Sequence, residues 1–372
     1  MAGSQLDKLT IRGFKSIRNL EDFELKKLNI LIGANGSGKS NLLAFFRMLQ
    51  SIMKDTLDNY IRESGGIGDL LHNGRKATKQ MEFETYFGTR GYRFKLIPGP
   101  GEGFDLTDES RYYKFSSSSD GWWRLGNTSD NRSLLVKEAQ ETFHPDNDKS
   151  RPVYESIRSW EIYHFHDTSL TAPMRHAEIV EDNKVLRSDA SNIAPFLLRL
   201  REENGPQYKE ILRACRLVAP FFKEFLLDVE QLGPKTKVAL TWTEKNSDYP
   251  MQPYHLSDGS IRFICLAAAL LQPTPPATII IDEPELGLHP EAIRILGEII
   301  EEAAKHTQII IATQSPLLLD QFAIENIIIV NRKDGQSTFE RLNPTDFTEW
   351  LKDYSVGELW TKNVIKGGTN NE

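Results

Sequence analysis

Residues Gly33 to Ser40 read Gly-Ala-Asn-Gly-Ser-Gly-Lys-Ser, which satisfies every fixed position of the phosphate-loop pattern G-x-x-x-x-G-K-[ST]. No other run constrains the fold so tightly, because such a loop works only between a buried strand and the start of a helix. The flanks comply. Leu28 to Ile32 is a short apolar run suited to a buried strand, and Asn41 to Leu49 carries apolar residues at helical spacing. Strand, glycine loop and helix together aim backbone N–H groups and a positive helix end at phosphate oxygens.

The residue types assign roles within the loop. Gly33, Gly36 and Gly38 let the backbone curl and approach phosphate, while Ala34, Asn35 and Ser37 supply further N–H donors. Lys39 brings a cation to the β- and γ-phosphates, Ser40 offers a hydroxyl to Mg²⁺, and Asn41 opens the helix. The ligands expected are therefore ATP and Mg²⁺.

A second half of the site follows downstream. Ala277 to Ile281 is an apolar strand that ends in Asp282 and Glu283. Asp282 at the strand edge suits a role in holding Mg²⁺, and Glu283 suits the orientation and deprotonation of an attacking water. Leu256-Ser257-Asp258-Gly259-Ser260 precedes an apolar helix, Ile261 to Leu271, with Ser257 as its cap. Such a helix start is either an ordinary cap or an anion-binding device. After the strand Gln308 to Ala312 comes Thr313-Gln314-Ser315-Pro316.

The order GANGSGKS, LSDGS, IIIDEPELGLHP, IIIATQSP resembles the ABC-type ATPases, and more narrowly their RecF, SMC and OLD-like branch. Leu9 to Ile17 is similar to that branch's first strand. Tyr163 to Thr168 and Tyr354 to Trp360 resemble a subgroup of compact bacterial AAA-family ATPases without coiled coil or Toprim domain. The resemblance implies an α/β P-loop NTPase of ABC/SMC-head type: a mixed central sheet flanked by helices, with a β-rich N-terminal lobe and a helical insertion. The expected organisation is one composite ATPase domain over residues 1–372. It comprises an N-terminal lobe (1–165) with the phosphate loop, a helical segment (166–235), and a C-terminal lobe (236–372) with the LSDGS, Asp-Glu and TQSP motifs.

The resemblance further implies that Ser257, Asp258 and Gly259 contact nucleotide held by a second protomer. The product would be a head-to-tail homodimer, or a higher oligomer, around two Mg-ATP. Glu285 to His289 would cross the same interface, and Pro290 would open a helix burying Ala292, Ile295, Leu296, Ile299, Ile300 and Ala303. The chain also departs from the family pattern. Gln314 stands where many relatives carry histidine, and an amide can donate to phosphate but cannot become cationic. Slow turnover, or turnover that needs a partner, is expected. Asp258 stands where many relatives carry glycine, so its carboxylate must point away from phosphate or meet a cation. Gln80 and the pair His166-Asp167 are both candidates for the lobe-linking position near magnesium. Arg12 has two readings, a phosphate ligand and a solvent-facing strand residue.

Composition bounds the rest. At 372 residues, 39% hydrophobic and 26% charged, the chain can build a sizeable core. No apolar run approaches a membrane span and the N-terminus lacks the form of a secretion signal, so a cytoplasmic location without membrane contact is the default. Cys215 and Cys265, the only cysteines, lie in apolar surroundings and suit core packing. A net charge of −7 argues against a generally basic nucleic-acid binder but permits a local patch. Arg75, Lys76, Lys79, Arg90, Arg93 and Lys95 form either a solvated sheet edge or a DNA path. Trp122-Trp123 reads as one core and one surface aromatic. Pro98 to Asp148 is expected to be loop-rich, with a serine run at Ser116 to Ser119, and Ala190 to Glu230 to be helical without the heptads of a coiled-coil arm.

After Asp320 the pattern gives two short strands and two terminal helices, leaving no room for a nuclease domain. Cleavage, if it is part of the biology, falls to a separate effector protein. The reading is an ATPase whose ATP state controls a DNA or effector partner, in genome maintenance or antiphage defence. A nucleotide-gated scaffold with little hydrolysis is the alternative. A transporter motor subunit is a third reading, against which the SMC-like opening strand and LSDGS count.

Overall fold

The computed structural model describes residues 4–101, 103–114, 121–126, 132–141, 147–232 and 234–365. The Ser116 to Ser119 run lies outside them. Two six-stranded sheets organise the molecule. The first is built around the loop strand, in the order Gln336–Arg341, Ile327–Lys333, Leu28–Ile32, Gln308–Thr313, Thr278–Asp282, Glu161–Tyr163. Every neighbouring pair is parallel except the antiparallel hairpin at the Gln336–Arg341 edge, so the central sheet is mixed. Parallel strands covered on both faces read as continuous apolar runs, which is why Leu28 to Ile32 and Gln308 to Thr313 are buried throughout. Alternate residues serve opposite cores: Ile279 and Ile281 enter one apolar cluster, Ile280 the other.

The second sheet is antiparallel, in the order Ile17–Glu24, Lys8–Phe14, Met81–Phe87, Arg90–Pro98, Phe104–Tyr113, Gly121–Arg124. Met81–Phe87 alternates buried and half-buried positions, as a strand with one wet face must. Its Phe83 stacks on Phe45 (5.7 Å between ring centroids) and on Phe94 (4.9 Å). Phe45 belongs to the helix Lys39–Met53, whose apolar residues share one core with both sheets. The phosphate-loop helix is thus clamped between the sheets, which fixes the loop at its N-terminus.

On the opposite face the helices Ile193–Glu203, Gly205–Val218, Asp258–Leu270 and Pro290–Ala304 share the other core. Asp258–Leu270 is buried at every position from Ile261 to Leu270. Cys215 and Cys265 are free and buried in this core; burial pushes the Cys215 thiol up to about 12 and the Cys265 thiol well above its usual range. The helix from Pro290 buries all six residues expected of it.

Some local expectations need correction. The region from Pro98 to Asp148 carries regular structure: the strands Phe104–Tyr113 and Gly121–Arg124 complete the second sheet, and Leu134–Gln140 packs beneath it. Buried Glu109 organises this corner by accepting from Tyr92 Oη (2.5 Å), Ser133 Oγ (2.6 Å) and the Leu134 backbone (2.7 Å). Helical pattern after Ala190 ends at Val218, and the chain then runs as the short strands Phe222–Phe225 and Val229–Leu232.

Candidate nucleotide site

Parallel pairing brings the C-terminal ends of three central strands together. Ile32, Asp282 and Thr313 end adjacent strands, so Gly33–Ser40, Asp282-Glu283 and Thr313-Gln314 converge at one edge. This is the crevice at the carboxyl ends of strands where open α/β sheets place ligands.

The loop is tightly built. Gly36 (φ 78°) and Gly38 (φ 116°) take left-handed conformations, and a Cβ on Gly38 would collide with the Ser337 and Ser16 side chains. A Cβ on Gly33 would strike the Val330 carbonyl. A network missed by the sequence reading braces this geometry. Ser337, buried on the edge hairpin, donates to the Ser37 carbonyl (2.6 Å) and lies 2.6 Å from Ser16 Oγ, which accepts from Asn41 Nδ2 (2.6 Å). Lys39 is buried, with Nζ donating to the Gly33 (2.6 Å) and Ala34 (3.2 Å) carbonyls. Burial lowers its pKa, opposed by the fields of Glu283, Asp282 and Glu285.

Facing the loop, burial raises the Asp282 pKa while the neighbouring charges partly offset one another. Glu283 adopts a left-handed backbone (φ 45°), an uncommon conformation for a non-glycine residue, and its N–H donates to the Ala312 carbonyl (2.7 Å). Gln314 Nε2 donates to Glu283 Oε1 at 2.5 Å. Glu285 turns inward and accepts from Thr313 Oγ1 (2.6 Å) and the Gln314 N–H (3.2 Å), its other oxygen buried without a partner; burial raises its pKa too. Leu286 beside it is exposed.

The two candidates for the lobe-linking position separate. His166 Nε2 lies 3.1 Å from the Asp282 carbonyl and its ring packs on His164, whose pKa is lowered by burial and by His166 and Arg47. Asp167 is exposed and accepts from the Ser169 N–H. Gln80 immediately precedes the strand Met81–Phe87 of the other sheet and donates to Glu82 (2.5 Å). Arg12 is ringed by Glu21 (2.9 Å), Glu82 (3.5 Å) and Glu84 (3.7 Å), which answers its charge at the strand surface.

The LSDGS segment has a different construction. Ser257 caps the helix Asp258–Leu270, accepting from Ser260 N (3.1 Å). Asp258 meets a cation, Arg175 (2.9 Å), whose side chain is otherwise buried and donates to the Thr168, Pro253 and Leu256 carbonyls. Gly259 presses on the segment after Glu283: a Cβ there would lie 2.6 Å from the Gly287 carbonyl oxygen. Arg262 donates to the Phe165 (2.8 Å) and His166 (3.1 Å) carbonyls and to that of Leu286. Burial lowers its pKa. Ser257 and Asp258 are exposed, and no hydrogen bond or ion pair among the described residues joins Ser257–Ser260 to the loop Gly33–Ser40.

Of the basic cluster, Arg75 caps the Gly99 carbonyl (2.8 Å), Lys95 pairs with Asp108 (3.4 Å), and Arg93 lies over the Trp122 ring (4.6 Å). Trp122 is half-buried against Tyr86 and Tyr112, and Trp123 is exposed. Among the described residues, no helix is long and apolar enough to cross a membrane.

Fold and loop together define a P-loop ATPase domain of the AAA and SMC-head type. The chain belongs to the family described as "AAA domain, putative AbiEii toxin, Type IV TA system", whose model matches residues 28–320. It is 27% identical over 177 residues to the "Retron Vc95 probable ATPase" of Vibrio cholerae, covering 44% of this chain and 34% of that protein. It is 22% identical over 387 aligned residues to the "Retron Ec83 probable ATPase" of Escherichia coli, covering 87% and 70%. The match thus spans about a third of the first relative's length and about two thirds of the second's. Among solved structures, an SMC head bound to the C-terminal winged-helix domain of ScpA superposes with a TM-score of 0.60 at 17% identity, covering 93% of this chain and 99% of that one. A Pyrococcus furiosus SMC head bound to the C-terminal domain of ScpA gives 0.54 at 15% identity, covering 94% and 99%. These establish the shared fold.

Proposed function

We propose that this protein binds and hydrolyses ATP at Gly33–Ser40 and that ATP joins two copies head to tail. The observation that carries the reading is the exposed LSDGS helix start, unattached to its own loop and braced from behind by Arg175, Gly287 and Arg262. A helix N-terminus left open in this way can receive the γ-phosphate held by a second copy, so ATP would act as adhesive and hydrolysis as release.

In this reading Lys39 and the N–H groups of Gly33 to Asn41 bind the phosphates, Glu283 positions and deprotonates water, and Gln314 holds Glu283. The donor set fits Mg²⁺. Ser40 is exposed at the loop's end, and Asp282 is a half-buried carboxylate across from it; hydroxyl and carboxylate oxygens are the ligands this ion takes. When bound, Mg²⁺ would neutralise charge developing on the phosphates. Lys39 uses two of its three N–H donors on the Gly33 and Ala34 carbonyls, which leaves one for a phosphate oxygen. The test is the solution mass of Glu283→Gln by sedimentation. Mg-ATP should convert a smaller species to a dimer or its multiple; an unchanged mass with ATP bound would overturn the head-to-tail assembly.

A second reading is a nucleotide-gated scaffold with little hydrolysis. The 2.5 Å contact from Gln314 to Glu283 favours it, since the amide occupies the carboxylate expected to act as base. Turnover separates the two: the ATPase reading requires Glu283→Gln to cost about a hundredfold or more in rate. Either way, the ATP state would control a partner, either DNA or a separately encoded effector such as a nuclease, in antiphage defence or genome maintenance. The likeness to two retron ATPases supports the defence role.

A further inference from the structure

A cavity of about 670 Å³ lies beside the nucleotide crevice, against the flank of the phosphate-loop helix. Its walls come from that helix, the sheet-edge strand Glu161–Tyr163 and the loop of residues 182–189. Arg47, Gln50 and Lys54 stand three and four positions apart, so they share one face along and just past the helix. Lys184 and Arg187 face them from the loop.

The loop wall is built in advance. Asn192, wholly buried, donates to the Asp182 (3.0 Å) and Val185 (2.9 Å) carbonyls and accepts from the Arg187 N–H (2.9 Å). Arg199 holds the Asn183 (3.1 Å) and Lys184 (2.8 Å) carbonyls, and the His164 N–H holds that of Ser188 (2.9 Å). One amide and one guanidinium therefore shape a segment that lacks regular structure, as at a preorganised binding wall.

Four cations, Arg47, Lys54, Lys184 and Arg187, and three carboxyls, Glu161, Asp182 and Asp189, line the cavity. Arg187 is paired with Asp182 (2.7 Å), and Asp189 accepts from the Ser191 N–H, a neutral donor that does not cancel its charge. Arg47, Lys54 and Lys184 form no ion pair or side-chain hydrogen bond with any described residue, though Lys54 lies in the field of Glu161. Glu161, the carboxyl on the floor, is pushed up to about 7 by burial and opposes an anion weakly near neutrality. Small-ligand sites occupy about 300 to 1,000 Å³ with a few converging polar groups, and this cavity falls in that range.

We propose that this cavity binds a nucleotide-sized ligand carrying two phosphate groups, at a site separate from the ATP loop. Lys54 and Lys184 grip the phosphates from opposite walls, and Arg47, whose field reaches Asp282 and His164, links the ligand to the nucleotide crevice. The inference stands whether or not ATP drives dimerisation, because its readout is binding to one chain.

The probe is adenosine 3′,5′-bisphosphate, titrated calorimetrically into Glu283→Gln whose loop is saturated with Mg-ATP. One saturable site per chain is expected, weakened about tenfold or more by Lys54→Ala combined with Lys184→Ala. Both lysines are exposed, so this variant should keep its melting temperature and its ATP affinity. Without ATP, Lys39→Ala should leave bisphosphate binding unchanged. The proposal is overturned if no saturable binding occurs at millimolar probe, if the double variant binds like its parent, or if Lys39→Ala abolishes binding. Much tighter, lysine-dependent capture of a 5′-phosphorylated oligonucleotide would likewise overturn the small-ligand assignment.

Discussion

The glycine loop and the LSDGS helix start are both N-terminal helix ends suited to phosphate, yet they are supported from opposite sides. Around the loop, Ser337 and Ser16 press on Gly38, Val330 presses on Gly33, and Lys39 folds over the Gly33 and Ala34 carbonyls. At the helix start, Ser257 and Asp258 stay exposed while Arg175 and Gly287 hold the segment from behind. A loop braced all round can bind its ligand alone. An end braced only at the rear has a fixed direction and an open front, as the proposed half-site requires.

Paired glycine substitutions test this contrast most severely. Gly38→Ala places a Cβ at φ 116° against Ser337 and should weaken ATP binding to a single chain by a hundredfold or more, roughly 3 kcal/mol. Gly259→Ala should leave that affinity within about twofold while preventing the ATP-dependent mass increase, because its Cβ would push the helix off the Gly287 carbonyl. Fluorescent-nucleotide titration and sedimentation read the two effects; equal losses of ATP affinity would erase the distinction.

Arg175→Ala comes next. It strips charged donors from three carbonyls at a side chain only 3% exposed, so a stability loss of about 3 kcal/mol is expected in thermal unfolding, with loop affinity spared. Ser337→Ala removes the donor to the Ser37 carbonyl and should cost about 1 kcal/mol, read as roughly fivefold weaker ATP binding. The smallest effect expected is at Gln314. Replacement by histidine should raise basal hydrolysis a few-fold by loosening the 2.5 Å hold on Glu283, and unchanged turnover would remove Gln314 as the cause of slowness.

What could be read from the sequence divides along the same line. The loop, the acid-tipped strand and the Ser257 cap are local patterns, each within about a dozen consecutive residues, and periodicity located the elements that carry them. The braces are not local. Ser337 meets Ser16 across 321 positions, Arg262 meets Phe165 across 97, and Arg175 meets Asp258 across 83. None has a spacing that marks it, although the puzzle of Asp258 did ask for a cation. The strand Phe104–Tyr113 was hidden because Gly99, Pro100, Gly101 and Gly103 form a turn directly before it, where turn chemistry masks alternation.

Arg262 has a further consequence. One side chain on the helix Asp258–Leu270 grips the Phe165 and His166 carbonyls on one side and the Leu286 carbonyl on the other. Those segments flank Asp282 and Glu283, so the helix cannot slide without tugging both neighbours of the acid pair. The far end of that helix, Leu270, is buried among the helices Ile193–Glu203, Gly205–Val218 and Pro290–Ala304, so a displacement of that layer would reach the acid pair through Arg262. If nucleotide shifts the acid pair, reciprocity would carry the same free energy back to those helices. The guanidinium would act as a gear tooth, making this rod both a throttle on the site and a gauge of its state.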